Sequence, residues 1–220
     1  MKNLIKIKIV LIATLTFTSN LDAQTIELTG SYGYQFGTKE DYNGGYFKLD
    51  DGGQWNAVLG YELQEDIMVE VSYTRINSPL LFKDVYVTLN QQNKLADVAQ
   101  DWIMVGGNKY FTKGNLKPFL GGSVGVAVFS PNNEDFKLIN SALNNFLALD
   151  FDNQVRFAFS FKGGVNIMIS DNVGINLQGN LMFPVDWAGV YLGTGGAGVS
   201  VDGTTLVGGF SGGLVFRLDR

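Results

Sequence analysis

Over most of its length this chain alternates apolar residues with polar or small ones at a period of two, in segments of roughly ten to fifteen residues. A strand sends successive side chains to opposite faces, whereas a helix brings apolar residues back every three or four positions. Between Thr25 and Gly37, Ile26, Leu28, Gly30, Tyr32, Tyr34 and Phe36 form one set, and Glu27, Thr29, Ser31, Gly33 and Gln35 form the other. Between Gln154 and Ile169 the alternation is cleaner, with Val155, Phe157, Phe159, Phe161, Val165, Ile167 and Ile169 all hydrocarbon. Eight segments read this way: 25–37, 54–63, 66–76, 100–111, 116–129, 154–169, 173–183 and 206–218. The fourth has the least defined register.

The connections alternate as well. Gln64-Glu65, Thr112 to Asn115 and Ser170 to Asn172 are short, whereas about 38–53, 77–99, 130–153 and 184–203 are long and hold most of the Asn, Asp and Pro. Short turns on one side, long loops on the other and an even strand count are the rhythm of a membrane barrel with both termini in the periplasm. In the longest of these loops, Phe136, Leu138, Ile139, Leu143, Phe146 and Leu147 are spaced so that a short amphipathic helix could form within 131–152.

Residues 1–23 place Lys2, Lys6 and Lys8 ahead of an apolar run from Ile9 to Phe17 and end at Ala23, the layout of a secretory signal. Residues 24–220 are then the barrel domain. Losing Lys2, Lys6, Lys8 and Asp22 takes 16 basic and 21 acidic residues to 13 and 20, a net charge of −7. That balance argues against nucleic acid, whose phosphates need a basic surface. No later stretch approaches the ~18 consecutive apolar residues of a membrane helix. The chain has no Cys, so neither a disulfide nor a lipid-modified N-terminal Cys is expected.

Alternation alone does not say which face is outside. A soluble, lipocalin-like barrel would turn its apolar face inward around a ligand and would need many Lys and Glu outside. Here the polar face is mostly Gly, Ser, Thr and Asn, which suits a crowded lumen. The apolar face is also banded. Trp55, Trp102 and Trp187 fall at or just beyond the extracellular strand ends, with Tyr34, Phe36 and Tyr73; Tyr61, Tyr110 and Phe216 fall at the opposite rim. Two aromatic girdles around an aliphatic waist match the two interfaces of a bilayer. The fold class expected is all-β, an eight-stranded antiparallel up-and-down transmembrane barrel.

In KYFTKGNLKPFLGGSVGVAVF from Lys109 and ISDNVGINLQGNLMF from Ile169 the chain resembles the small outer-membrane barrels related to the OmpA membrane domain and the opacity-like porin superfamily, in a style common in Bacteroidetes. The resemblance covers residues 24–220 and is architectural. It implies an outer-membrane location, contact with outer-membrane lipid and lipopolysaccharide, and insertion by the barrel-assembly machinery. The family's last strand commonly ends on an aromatic residue, whereas here Phe216 is followed by Arg217, Leu218, Asp219 and Arg220.

With neither His nor Cys, the chain cannot build Ser-His or Cys-His catalysis or a His-ligated metal site. No enzyme activity and no cofactor are expected. Adjacent carboxylates at Asp50-Asp51 and Glu134-Asp135 do not converge on a substrate by spacing alone. The Gly strings at 193–198 and 121–122 precede no helix that could hold an anion. Glu40, Asp41, Asp50, Asp51, Glu134, Asp135, Asp150 and Asp152 cluster in the long loops, as solvated charge or as weak cation bridges to lipopolysaccharide. The alternation turns Glu27, Glu62, Glu70, Lys109, Arg156, Lys162 and Arg217 into the lumen, where buried charges require partners. Barrel closure would set the first strand beside the last, so Glu27 and Arg217 could pair across the seam. Eight strands leave a lumen that side chains just fill. The expected function of this monomeric barrel is therefore structural or a loop-mediated binding or adhesion role toward a ligand the sequence does not name. A narrow solute channel is the alternative, and a soluble lipid-binding barrel comes after it.

Overall fold

In a computed structural model of the chain, residues 25–42, 45–84, 93–131, 153–185, 190–193, 196–199 and 206–218 are described. The signal segment 1–23, the 132–152 stretch proposed as helical, Trp187 and the Glu134-Asp135 pair lie outside these residues.

The strands are β1 (Ile26–Gln35), β2 (Thr38–Tyr42), β3 (Gly45–Leu49), β4 (Gly52–Gln64), β5 (Ile67–Asp84), β6 (Asn93–Tyr110), β7 (Leu116–Pro131), β8 (Gln154–Met168), β9 (Val173–Val185), β10 (Val190–Gly193), β11 (Gly196–Val199) and β12 (Val207–Leu218). Eight of them close into an antiparallel barrel in the order β1, β4, β5, β6, β7, β8, β9, β12, with β12 pairing back to β1. Each is a neighbour in sequence of the strands beside it, apart from the interposed hairpins β2-β3 and β10-β11. The expected architecture is the observed one.

The register fixes the barrel's shape. A row of partners leaves Arg217 and passes through Glu27, Gly60, Glu70, Gly106, Ser123, Ser160 and Met182. It returns to the starting strand at Val207, ten residues along. For eight strands that stagger requires a tilt of about 40° and a backbone radius of about 8 Å. Side chains from opposite walls meet across such a lumen.

The tight turns fall near their expected places, the first one residue later than expected, at Glu65-Asp66 instead of Gln64-Glu65. Between β4 and β5, Asp66 adopts φ 64°, Glu62 Oε1 accepts its N–H at 3.3 Å, and Thr112 Oγ1 donates to its carboxylate at 2.7 Å. Between β6 and β7, Gly114 takes φ 61°, a conformation that a side chain would strain. The long connections differ from expectation. β5 and β6 run 18 residues each, continuing their ladder through much of 77–99, and 38–53 folds into the β2-β3 hairpin, whose β3 pairs with the upper part of β5. Hydrogen bonding explains this, because an extended pair that leaves the membrane satisfies its backbone groups by continuing to pair.

The outer surface is apolar. Leu59, Val71, Val105, Leu120, Phe161, Leu177 and Leu214 are all about half exposed, while Thr29, Ser31, Asn56, Glu70, Asn166, Asn176 and Gln178 are buried. In water this surface would be inverted. Outward hydrocarbon around an inward polar core is the pattern of a barrel that spans a membrane.

Candidate functional site

Three layers of side chains fill the lumen. The periplasmic layer is ionic. Glu27 and Arg217 are register partners across the closing seam, with Arg217 Nε 3.8 Å from Glu27 Oε2. Arg217 Nη2 lies 3.5 Å from Glu62 Oε2. The other Glu27 oxygen accepts hydrogen bonds from the Tyr110 hydroxyl at 2.7 Å and from Asn166 Nδ2 at 3.2 Å. Asn176 Nδ2 donates in turn to Asn166 Oδ1 at 2.7 Å. Charged, hydroxyl and amide groups from β1, β4, β6, β8, β9 and β12 thus gather in one layer, as burial demands, while Glu27 Oε2, Arg217 Nε and Asn176 Oδ1 make no hydrogen bond within it. Met68, Tyr110 and Phe119 pack as a small apolar cluster in this half of the lumen.

Above it, Glu70 is 3% exposed, and its Oε2 accepts hydrogen bonds from Lys162 Nζ and Asn108 Nδ2, each at 2.7 Å. The Lys162 ammonium also lies 5.9 Å from the centre of the Phe119 ring. This pair forms the floor of a cavity of about 30 Å³, whose lining includes Asn56, Ser72, Thr74, Gln178 and Asn180. That volume holds one or two water molecules. Ser123 and Ser160, side by side in the register, hydrogen-bond at 2.5 Å on its wall.

The extracellular layer is built around an apolar cluster, with the buried amide side chains of Gln35, Gln54 and Gln100 beside it. Ile76, Trp102, Met104, Ala127, Ala158, Met182 and Val207 pack together, with Phe129 against them. Trp102 is 0% exposed and meets Phe129 edge-on at 6.0 Å. Arg156 covers this plug from outside, its guanidinium 5.4 Å from the Phe129 ring and its Nη2 donating to Gln154 Oε1 at 2.6 Å.

The sequence-derived positions divide along one strand. Glu27, Glu62, Glu70, Arg156, Lys162 and Arg217 point inward; Tyr34, Phe36, Trp55, Tyr61, Tyr73 and Phe216 point outward. On β6 three expectations are corrected. Lys109 is exposed on the outer face, while Trp102 and Tyr110 are buried in the lumen at 0% and 3%. β6 carries mixed residues on both faces, so its own alternation does not choose a side. Its neighbours choose. Trp102 stands opposite Thr74 and Ala127, whose small side chains leave room for an indole, and Lys109 stands between Ile67 and Leu120 on the outside. Asn166 and Asn176, which complete the ionic layers, were marked in the sequence only by falling on the polar face of their strands, and Asn108, beside the inward-read Lys109, was not marked at all.

On the extracellular side the acidic residues act as tethers. Asp51 accepts the Gly37 N–H at 2.6 Å and the Tyr34 hydroxyl, which ties the base of the β2-β3 hairpin to the end of β1. The Tyr34 hydroxyl, and after it the Gly37 N–H, hold the Asp51 carboxyl below the usual carboxylate range. Asp50 takes the Lys48 ammonium at 2.6 Å. Both carboxylates of the Asp50-Asp51 pair are therefore engaged locally.

No family model matches the sequence, and no curated protein matches it. Among solved structures, the outer membrane protein OprG from Pseudomonas aeruginosa matches with a TM-score of 0.62 at 15% identity, over 89% of this chain and 96% of that one. Neisserial surface protein A matches with a TM-score of 0.56 at 14% identity, over 90% of this chain and 100% of that one. At such identities the likeness is one of architecture, and the chain has the fold of the small eight-stranded outer-membrane barrels.

Proposed function

We propose that this protein is a monomeric outer-membrane barrel with a closed lumen, whose role is structural or lies in binding through its extracellular strands and loops. The occlusion of the lumen carries this reading. Among the described residues, an apolar cluster above and an ionic layer below flank a cavity of about 30 Å³, too small for solute passage. The extension of β5, β6 and the β2-β3 hairpin beyond the barrel supports a binding surface on that side. Lipid and lipopolysaccharide surround the apolar belt in this reading, residues 1–23 direct export, and the barrel-assembly machinery inserts the chain. The absence of His and Cys from the sequence favours a non-catalytic role.

A narrow channel is the second reading, favoured by the polar cavity. Planar-bilayer recording separates the two. The closed barrel gives no steady conductance, whereas stable, reproducible single-channel steps would overturn it in favour of the channel.

A further inference from the structure

The apolar belt is not equally tall around the barrel. On β8 every outward residue from Val155 to Ile167 is apolar or glycine, and Ile169 continues the run just past the strand. On β6 the outward run is bounded by Asp101 above and Lys109 below, with Ile103, Val105 and Gly107 between. On β5 it ends at Arg75, which pairs with Asp101 at 3.4 Å, and Asp101 also accepts the Tyr73 hydroxyl at 2.5 Å. In strands inclined at about 40°, one residue along the strand rises about 2.5 Å, and one register step from β12 through β1 toward β9 rises about 3 Å. The uncharged face therefore spans about 30 Å on β8 but only about 20 Å between the charges on β6. The membrane-facing band of such barrels is about 25 Å tall.

We propose that the barrel holds the bilayer at unequal thickness around its circumference, thinning it along β5-β6 and thickening it along β7-β9. The occupant of the tall flank is outer-leaflet acyl chain, because Val155 and Phe157 continue the lipid-facing column of Phe159 and Phe161 without a break. On the short flank the Arg75-Asp101 pair lies at headgroup level above. Lys109 reaches the headgroups below by extending its ammonium along the wall. Local thinning and thickening are the ordinary responses of a bilayer to a mismatched apolar surface. The proposal rests on the transmembrane reading, and its test separates the two.

Ala99 on β6 and Val155 on β8 point outward at nearly the same height. From Asp101, Ala99 is two residues up its strand, and Val155 is two register steps away through Val128. The chain has no Cys, so single Cys substitutions can be spin-labelled without background. Collision rates with oxygen, which concentrates in lipid, and with a water-soluble nickel chelate are then measured in vesicles. The expected oxygen-to-nickel ratio is several-fold higher at Val155→Cys than at Ala99→Cys, with Ile167→Cys also oxygen-dominated. Equal ratios at positions 99 and 155 overturn the proposal. So does shielding of position 155 from both reagents, which would mean that protein covers it. A nickel-accessible Ile167→Cys also overturns it, since a tilted barrel with an even belt would expel that end into water. Val105→Cys and Phe161→Cys at mid-belt report on the transmembrane reading itself, which fails if they are nickel-accessible. Asn77 and Val128, register neighbours of Ala99 and Val155, replace either position if its variant does not fold.

Discussion

The two ends of the lumen exclude water by opposite means. The periplasmic end does it with charge, joining Glu27, Glu62, Arg217, Tyr110 and Asn166 in one network. The extracellular end does it mainly with hydrocarbon and one buried indole, with the uncharged amides of Gln35, Gln54 and Gln100 in the same layer. A packed apolar plug adapts to substitution by collapsing or leaving a void, whereas a buried ionic layer cannot lose one member without stranding another. The ionic half is therefore the less forgiving, and the Glu70-Lys162 pair at the boundary tests the contrast.

Glu70→Leu leaves the Lys162 ammonium, 12% exposed, without its carboxylate partner. It should cost about 3–5 kcal/mol in urea unfolding of the refolded barrel, and Glu70→Leu with Lys162→Met should recover most of the loss. If the double variant is no better than the single one, the ionic layer is not special. Met182→Ala in the apolar plug should cost about 2–5 kcal/mol, with a spread set by how far Trp102 and Val207 relax into the void. A cost above that of Glu70→Leu would reverse the ranking of the two ends.

Ser160→Ala removes the hydroxyl pair on the cavity wall and should cost only about 1 kcal/mol by the same unfolding measurement, because the polar cavity can supply water to Ser123. Outside the lumen the effects are smaller. Asp51 has its carboxyl lowered by Tyr34, so its tether is complete above the ordinary carboxylate range and is lost as pH falls through the lowered value. Carboxyl carbon NMR of a Tyr34→Phe variant should show the Asp51 titration moving to higher pH. An unmoved midpoint would remove Tyr34 from the tether.

The legibility of the sequence followed the cleanness of alternation. β8 and β9, with one face all apolar or glycine, announced their inward residues correctly, Asn166 and Asn176 included. β6 did not, because Trp102 and Tyr110 read as interface aromatics by type and position. A Tyr or Trp suits a headgroup layer and a lumen with a hydrogen-bond partner or an apolar pocket about equally well. The loops were misread for a similar reason, since the Asn, Asp and Pro between 77 and 99 suggested irregular chain where the β5-β6 ladder continues.

The sequence by itself determined the barrel strand count, the approximate places of the tight turns and the outward hydrocarbon, because a period of two and its interruptions are local properties. Only the tertiary structure decided the ten-residue stagger, the partners of the buried charges other than Glu27 and Arg217, the side on which Trp102, Lys109 and Tyr110 fall and the uneven height of the apolar belt. Each of these depends on how strands distant in sequence align, and one residue of slip would reverse every face.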